Sequence, residues 1–264
     1  MEDELQALHD NHTWELVPRL SDINIVGSKW VYRINKADSS LFIYRDNNFT
    51  TILLIYVDDI FVAGNNDTFI TNLLTQLGHE FVIKDLGSLL YFLGVEIRPF
   101  SSGIFLSQKK YIHDLFTRTK MLDSSPIATP MIIKEKSAYS NVDQIDTTVY
   151  RSIVGALQYL TFTRPDIIHV VNRVCQHFNN PTLVHIKAVK RILQYLKGTQ
   201  HFGLCYLSQS SSSLYGSSDV DWAGCPITRR STTGFCVFFG ANCVSWCSKK
   251  QPTVARSSSE KSLG

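Results

Sequence analysis

The chain has 264 residues, 44% of them hydrophobic and 19% charged, with a formal net charge of +3 and a mean hydropathy of −0.03. That composition can bury a core, which excludes a disordered or fibrous chain, and the length suits one large domain or two ordinary ones. The charge is unevenly spread: residues 1–135 carry 12 Lys+Arg against 17 Asp+Glu, net −5, and residues 136–264 carry 14 against 6, net +8. A basic half of this kind points to a polyanion, nucleic acid first. The acidic, polar start (Met1 to Asp10) lacks the pattern of a secretory leader, and the longest apolar stretch, Ile52 to Ala63, is interrupted by Asp58 and Asp59 and is too short for a membrane span. Six scattered cysteines (175, 205, 225, 236, 243 and 247) suggest a reduced, intracellular setting, cytoplasmic or nuclear, with no membrane partner.

In chain order, an acidic helix-like start (Glu2, Glu4, Leu5, Leu8) precedes a strand-like run from Gly27 to Ile34. Leu41 to Tyr44, a turn at Asn47-Asn48, Thr50 to Tyr56, a tight turn at Asp58-Asp59 and Ile60 to Gly64 read as successive strands. Asn66-Asp67 should cap a helix whose Ile70, Leu73, Leu74 and Leu77 fall on one face and which stops at Gly78. Leu89 to Ile97 and Ile104 to Leu106 predict a second hairpin across Ser101-Ser102-Gly103. A helix with Ile112, Leu115 and Phe116 inward follows, then a loop punctuated by Pro126 and Pro130. Three helical segments fill 148–198. Their apolar faces are Ile153, Val154, Leu157 and Leu160; Ile167, Val171, Val174 and Phe178; and Ile186, Val189, Ile192, Leu193 and Leu196. The third opens at Pro181 and closes at Gly198. Serines at 208 and 210–213 make residues 208–213 a linker by composition. Leu214 to Ser218, Thr233 to Phe239 and Asn242 to Ser248 alternate as strands, and Ser257-Ser258-Ser259-Glu260 resembles a helix cap.

Asp58-Asp59 is the strongest local signal for chemistry. Two-residue hairpin turns favour Asn-Gly or Asp-Gly, so adjacent carboxylates are a poor choice on turn grounds, and a divalent cation such as Mg²⁺ would offset their repulsion. A solvated acidic turn is the alternative. The flanking runs Ile52 to Val57 and Ile60 to Val62 favour the metal reading, because they look like strands buried in a sheet. Cys243 and Cys247 share a strand face but have no second Cys/His pair at finger spacing, so a plain strand is preferred to a zinc site. Lys187, Lys190, Arg191 and Lys197 form a basic stripe, which is either a solvated helix face or a phosphate-contacting one. Arg229, Arg230, Lys249 and Lys250 could add sequence-independent phosphate contacts.

Tyr56-Val57-Asp58-Asp59 between such strands resembles the catalytic hairpin of reverse transcriptases. Further stretches narrow the resemblance to the copia-type LTR-retrotransposon polyprotein. They are Asn11 to Pro18, Ser28 to Tyr32, Leu93 to Ile97, Tyr150 to Leu160, Thr163-Arg164-Pro165-Asp166, Leu193 to Thr199, Asp219 to Gly224 and Ser245 to Gln251, in family order over nearly the whole chain. The resemblance implies an α+β fold: a partial right-hand polymerase (palm, thumb and connection) followed by a truncated ribonuclease H-like α/β module. The implied divisions are a fingers remnant (1–38), a partial palm with catalytic and primer-grip hairpins and the thumb start (39–135), a helical thumb and connection region (136–207), the linker (208–213) and the ribonuclease H-like module (214–264). Both sites of such enzymes use two Mg²⁺ (or Mn²⁺) ions for phosphoryl transfer or phosphodiester hydrolysis on an RNA/DNA template–primer or RNA–DNA hybrid. Asp58, Asp59, Asp219 and Glu260 carry over as catalytic metal ligands, and Phe92, Leu93, Gly94, Val95, Glu96 and Ile97 as the primer grip.

Two departures bear on activity. The family places a long stretch, with the palm's other catalytic Asp, between the Trp30 strand and the Leu41 strand; here Lys36-Ala37-Asp38 runs directly into Ser39-Ser40-Leu41. Asp38 lies in a polar loop and is not expected to substitute. Asp221 would share a face with Asp219 if the strand persisted, but Trp222 and Gly224 predict that it ends earlier, and the third ribonuclease carboxylate would fall beyond Gly264. The expectation is a copy lacking both activities. It would then be a non-catalytic element remnant with weak nucleic-acid affinity, or two pieces joined in a gene model. The contrasting class is a reverse transcriptase and ribonuclease H relative that either works in trans with intact copies or is one part of a larger polyprotein.

Overall fold

The computed structural model describes residues 40–46, 48–57, 59–131, 146–225 and 228–254. The expected helix-like start, the Trp30 strand, Asp38, Asp58 and Glu260 lie outside the described residues. The chain divides into two compact units, one within Met1–Gly87 and the other within Ser88–Gly264.

In the first unit, β1 (Leu41–Arg45), β2 (Thr50–Tyr56) and β3 (Asp59–Gly64) form an antiparallel sheet in the order β1-β2-β3. The predicted strands are present, but the second turn is shifted. Tyr56 pairs with Asp59, so Asp59 is already a strand residue and not part of the turn. Val57 takes φ +51°, a left-handed conformation that a β-branched residue seldom adopts. Helix α1 (Asp67–Glu80) is capped by Asn66, whose side chain accepts the Phe69 amide at 3.0 Å. It passes through Gly78 instead of stopping there: Phe81 donates its amide to the Leu77 carbonyl at 2.8 Å, and Gly78 has no positive φ. Tyr44 is buried where its ring stacks on Phe69 at 4.9 Å beside Phe49, which seats the start of α1 against the sheet. The expectation of deeply buried flanking strands fails at the hairpin tip, where Ile55, Tyr56 and Ile60 are exposed. A three-stranded sheet with one described helix has little cover for its second face.

In the second unit, β4 (Tyr91–Phe92), β5 (Val95–Phe100), β6 (Gly103–Ser107) and β7 (Leu204–Leu207) make one antiparallel sheet. The predicted single strand Leu89 to Ile97 is split. Leu93 (φ +47°) and Gly94 (φ +74°) form a two-residue turn with positive φ at both positions, as a type I′ hairpin requires. β7 pairs with β6 across about a hundred residues of sequence; its four-residue Leu-Cys-Tyr-Leu run carried too short a pattern to predict. Helix α2 (Lys109–Thr119) buries Ile112, Leu115 and Phe116 as expected. Helices α3 (Thr147–Leu160), α4 (Ile168–Cys175, entered through the 3₁₀ turn Pro165–Ile167) and α5 (Leu183–Gly198) complete the core. Val154, Leu157, Leu160, Val171, Val174, Val189, Ile192, Leu193 and Leu196 pack with the α2 residues, while Ile153, Phe178 and Ile186 flank them half-buried. α5 starts two residues after Pro181, with Thr182 as its cap.

The third sheet, in the order β10-β9-β8, contains β8 (Leu214–Asp221), β9 (Thr232–Phe239) and β10 (Asn242–Lys250). The serine-rich stretch before it is tied down: Ser208 donates its amide to the Ser102 carbonyl at 2.8 Å, and Ser210 Oγ accepts the Ala241 amide at 2.7 Å. β10 lies against the helices, with the Trp246 indole N–H donating to the Thr161 carbonyl at 2.9 Å.

Candidate nucleic-acid site

At the first hairpin, Asp59 opens β3 with an exposed side chain, and it is the one described carboxylate of the tip. It therefore has the solvent access a metal ligand needs, but the described residues supply it with no companion. Among those residues, no three His, Cys, Asp or Glu side chains come together as a group able to hold a metal ion.

Phe92 to Ile97, the stretch expected to act as a primer grip, spans the end of β4, the turn and the start of β5, and Leu93 and Glu96 are engaged with the helices. Glu96 Oε1 accepts the Lys110 amide at 2.8 Å, and Oε2 pairs with Arg98 at 2.7 Å. The carboxylate thus caps α2, whose own N-cap residue, Gln108, makes no such bond. Burial pushes the Glu96 pKa up, but the Lys110 amide and the Arg98 guanidinium outweigh it and hold the group below its ordinary value. The Tyr159 hydroxyl donates to the Leu93 carbonyl. A Cβ on Gly94 would lie 3.4 Å from the Tyr159 ring, so the glycine serves both the turn and this approach. Phe92 and Val95 pair across the turn, and the Ile97 amide donates to the Leu90 carbonyl at 2.8 Å.

On α5, Lys187 and Lys190 are exposed, whereas Arg191 donates to Thr129 Oγ1 at 2.8 Å and Lys197 lies 5.4 Å over the Phe116 ring. Two of the four basic residues in the stripe are thus partly committed to packing. Arg229, Arg230 and Lys249 are exposed, and Lys250 donates to Cys225 Sγ at 2.9 Å.

On the third sheet, β8 persists to Asp221, which pairs with Thr232, correcting the expectation of an earlier end. Asp219 and Asp221 therefore share a face. Both are exposed, and Asp219 Oδ1 accepts the Val220 amide at 2.8 Å. Ser248 pairs through β9 with the Asp219 position, and its hydroxyl is 3.5 Å from His169 Nδ1 on α4. Burial and then Arg173 lower the His169 pKa, partly opposed by Asp221.

The Thr163-Arg164-Pro165-Asp166 and Leu193 to Thr199 stretches meet in a network around the buried Arg164 that was not expected from sequence. The fully buried Arg164 is held by both Asp166 oxygens, at 2.8 and 2.7 Å, and donates to the Thr199 carbonyl at 2.9 Å and Thr199 Oγ1 at 2.7 Å. Tyr195 completes it with a 2.8 Å bond to Asp166. Burial raises the Asp166 pKa, but Arg164 and Tyr195 more than reverse this and lower it. The motifs themselves were the signal, but their spacing does not reveal that they bond to each other.

Comparison with known proteins places this geometry in a family. Residues 34–133 match the family model described as reverse transcriptase (RNA-dependent DNA polymerase). The chain is 50% identical over 203 residues to the uncharacterized mitochondrial protein AtMg00810 of Arabidopsis thaliana, covering 77% of this chain and 85% of that one. The chain belongs to the copia-type reverse transcriptase family. It is also 45% identical over 225 residues to the retrovirus-related Pol polyprotein from transposon RE1 of Arabidopsis thaliana, covering 85% of this chain and 15% of the polyprotein. With the corresponding polyprotein from transposon TNT 1-94 of Nicotiana tabacum the identity is 37% over 213 residues, 77% of this chain and 16% of the polyprotein. The chain thus spans only about a sixth of these polyproteins. No solved structure matches it.

Proposed function

We propose that this chain is a reverse-transcriptase relative that does not polymerise and that retains sequence-independent affinity for nucleic acid. Polymerisation in the family depends on Mg²⁺ held by carboxylates from more than one strand. The supporting observation is the direct passage from Lys36-Ala37-Asp38 into β1, which omits the stretch carrying the palm's other catalytic Asp. Asp58 and Asp59 would then hold metal ions without a bridging ligand, and the described tip adds no other carboxylate to take that role. The bases for binding are the net +8 of residues 136–264 and the exposed Lys187, Lys190, Arg229, Arg230 and Lys249. Glu96 and Leu93, already bonded to α2 and α3, would act by holding the hairpin's shape.

Primer extension on an RNA or DNA template, with Mg²⁺ or Mn²⁺, is expected to yield no product from the purified chain; extension would overturn the reading. Oligonucleotide binding measured by fluorescence anisotropy is expected to weaken steeply with salt, and to weaken further, with a shallower salt slope, in a Lys187→Ala/Lys190→Ala variant. Affinity unchanged between 50 and 200 mM salt, roughly the range over which phosphate contacts are lost, would argue against phosphate contacts.

A further inference from the structure

A cleft of about 230 Å³ opens between the end of α3, the start of α4 and β10, lined by Thr161, Phe162, Ile168, Val244, Ser245 and Trp246. Its side walls are apolar and unusually bare: Phe162 is 67% exposed and Val244 47%. The Trp246 ring is held by its indole bond to the Thr161 carbonyl at 2.9 Å. The bulge between Cys243 and Ser245 in the β9–β10 ladder leaves Val244 without a cross-strand partner at the rim. Phe162 is the last ring of a chain that reaches the β4–β5 hairpin. It meets Tyr159 edge-on at 5.7 Å; Tyr159 meets Tyr111 at 5.1 Å and bonds to Leu93. At the hairpin the exposed Tyr91 carries the Lys110 ammonium 5.5 Å over its ring.

We propose that this cleft receives one unpaired nucleobase of a bound strand, stacked on Phe162, with the aromatic chain marking the strand's course towards the β4–β5 hairpin. The inference rests on the nucleic-acid reading above and deepens it. A volume of about 230 Å³ is enough for one base. Phe162 and Trp246 offer ring faces that suit any base, while Thr161 and Ser245 add polar groups beside them, and stacking on a ring gives no code for a particular base, matching the sequence-independent charge pattern. The excess of cations in residues 136–264 selects a polyanion over an apolar peptide as the occupant.

The test compares a labelled single-stranded oligothymidylate with an abasic strand of equal length and charge, using anisotropy and Trp fluorescence quenching on the full chain. The intact strand is expected to bind more tightly and to quench fluorescence. Phe162→Ala should lower its affinity by about 5- to 150-fold with an unchanged salt slope, the size typical of losing one base–aromatic stack. Phe162→Trp should restore it. Because Phe162 is exposed, neither change disturbs the core. If the wild-type chain binds but ignores both the abasic change and Phe162→Ala, the cleft assignment is wrong and the phosphate-contact reading stands. If the wild-type chain binds neither strand, both are overturned.

Discussion

His185 occupies the first turn of α5, where its Nδ1 accepts the Thr182 amide at 2.9 Å and its ring stacks on His177 at 3.6 Å. It fills the place that Glu or Gln holds in the usual capping box. Burial first, and the neighbouring His177 second, lower its pKa from 6.5 to about 4. The sign of the linkage follows. A histidine whose folded pKa is depressed binds fewer protons folded than unfolded between those values, so stability rises with pH across the window and is lost as pH falls from 6.5 towards 4. Partial exposure makes the loss smaller than the full shift implies. Urea denaturation from pH 7.5 to pH 4, roughly bracketing the ordinary histidine range, should show this decline. His185→Gln keeps a capping acceptor and should flatten the profile. An equally steep decline in that variant would place the titration elsewhere.

At the level of elements, the sequence patterns located most helices and strands because each buries one face. α2 and α5 display this directly, with Ile112, Leu115 and Phe116 on one and Val189, Ile192, Leu193 and Leu196 on the other. The pattern could not show how the elements are bonded. Arg164 and Asp166 lie two residues apart in sequence, yet their work is to hold the entry of α4 to the end of α5 through Thr199 and Tyr195. Removing Asp166 leaves a buried guanidinium with Thr199 as its remaining hydrogen-bond partner. Asp166→Ala should therefore destabilise the second unit by roughly 2 kcal/mol, less than for a fully buried pair because Asp166 itself is partly exposed. The urea midpoint measures this, and a loss below about 1 kcal/mol, as for an exposed pair, would mean the network is solvated. The β4–β5 turn shows the converse limit. Leu93 carries no turn signal and only Gly94 does, so the run from Leu89 reads as one strand until the Tyr159 hydroxyl and the paired positive φ values are seen.

The whole molecule is unequal in how well its two units are packed. The second contains the helical cluster from Ile112 to Leu196, whereas in the first Tyr44 is the one described hydrophobic residue that reaches full burial, and α1 has none. Amides of β1, β2 and β3 should accordingly exchange hydrogen much faster than those of α3 and α5, with mass spectrometry of the full chain as the measurement. Equal protection would show that the first unit is covered as well as the second. Exposed Phe81, Val82 and Leu86 near the boundary, and Leu214, Phe235 and Phe239 on the third sheet, also favour self-association at high concentration.

The candidate site was legible unevenly for the same reason. Asp59, Asp219 and the basic residues are recognisable from type and neighbours alone, whereas the persistence of β8 to Asp221 depends on a ladder partner, Thr232, eleven positions away. Family membership and most element types are properties of residue order, and the sequence by itself determined them. The tertiary structure alone decided that Glu96 caps a helix, that Arg164 is an internal tie and that Phe162 and Trp246 line one cleft. Each of these depends on atoms brought together from distant positions, where burial and hydrogen-bond geometry, not periodicity, set the role of a side chain.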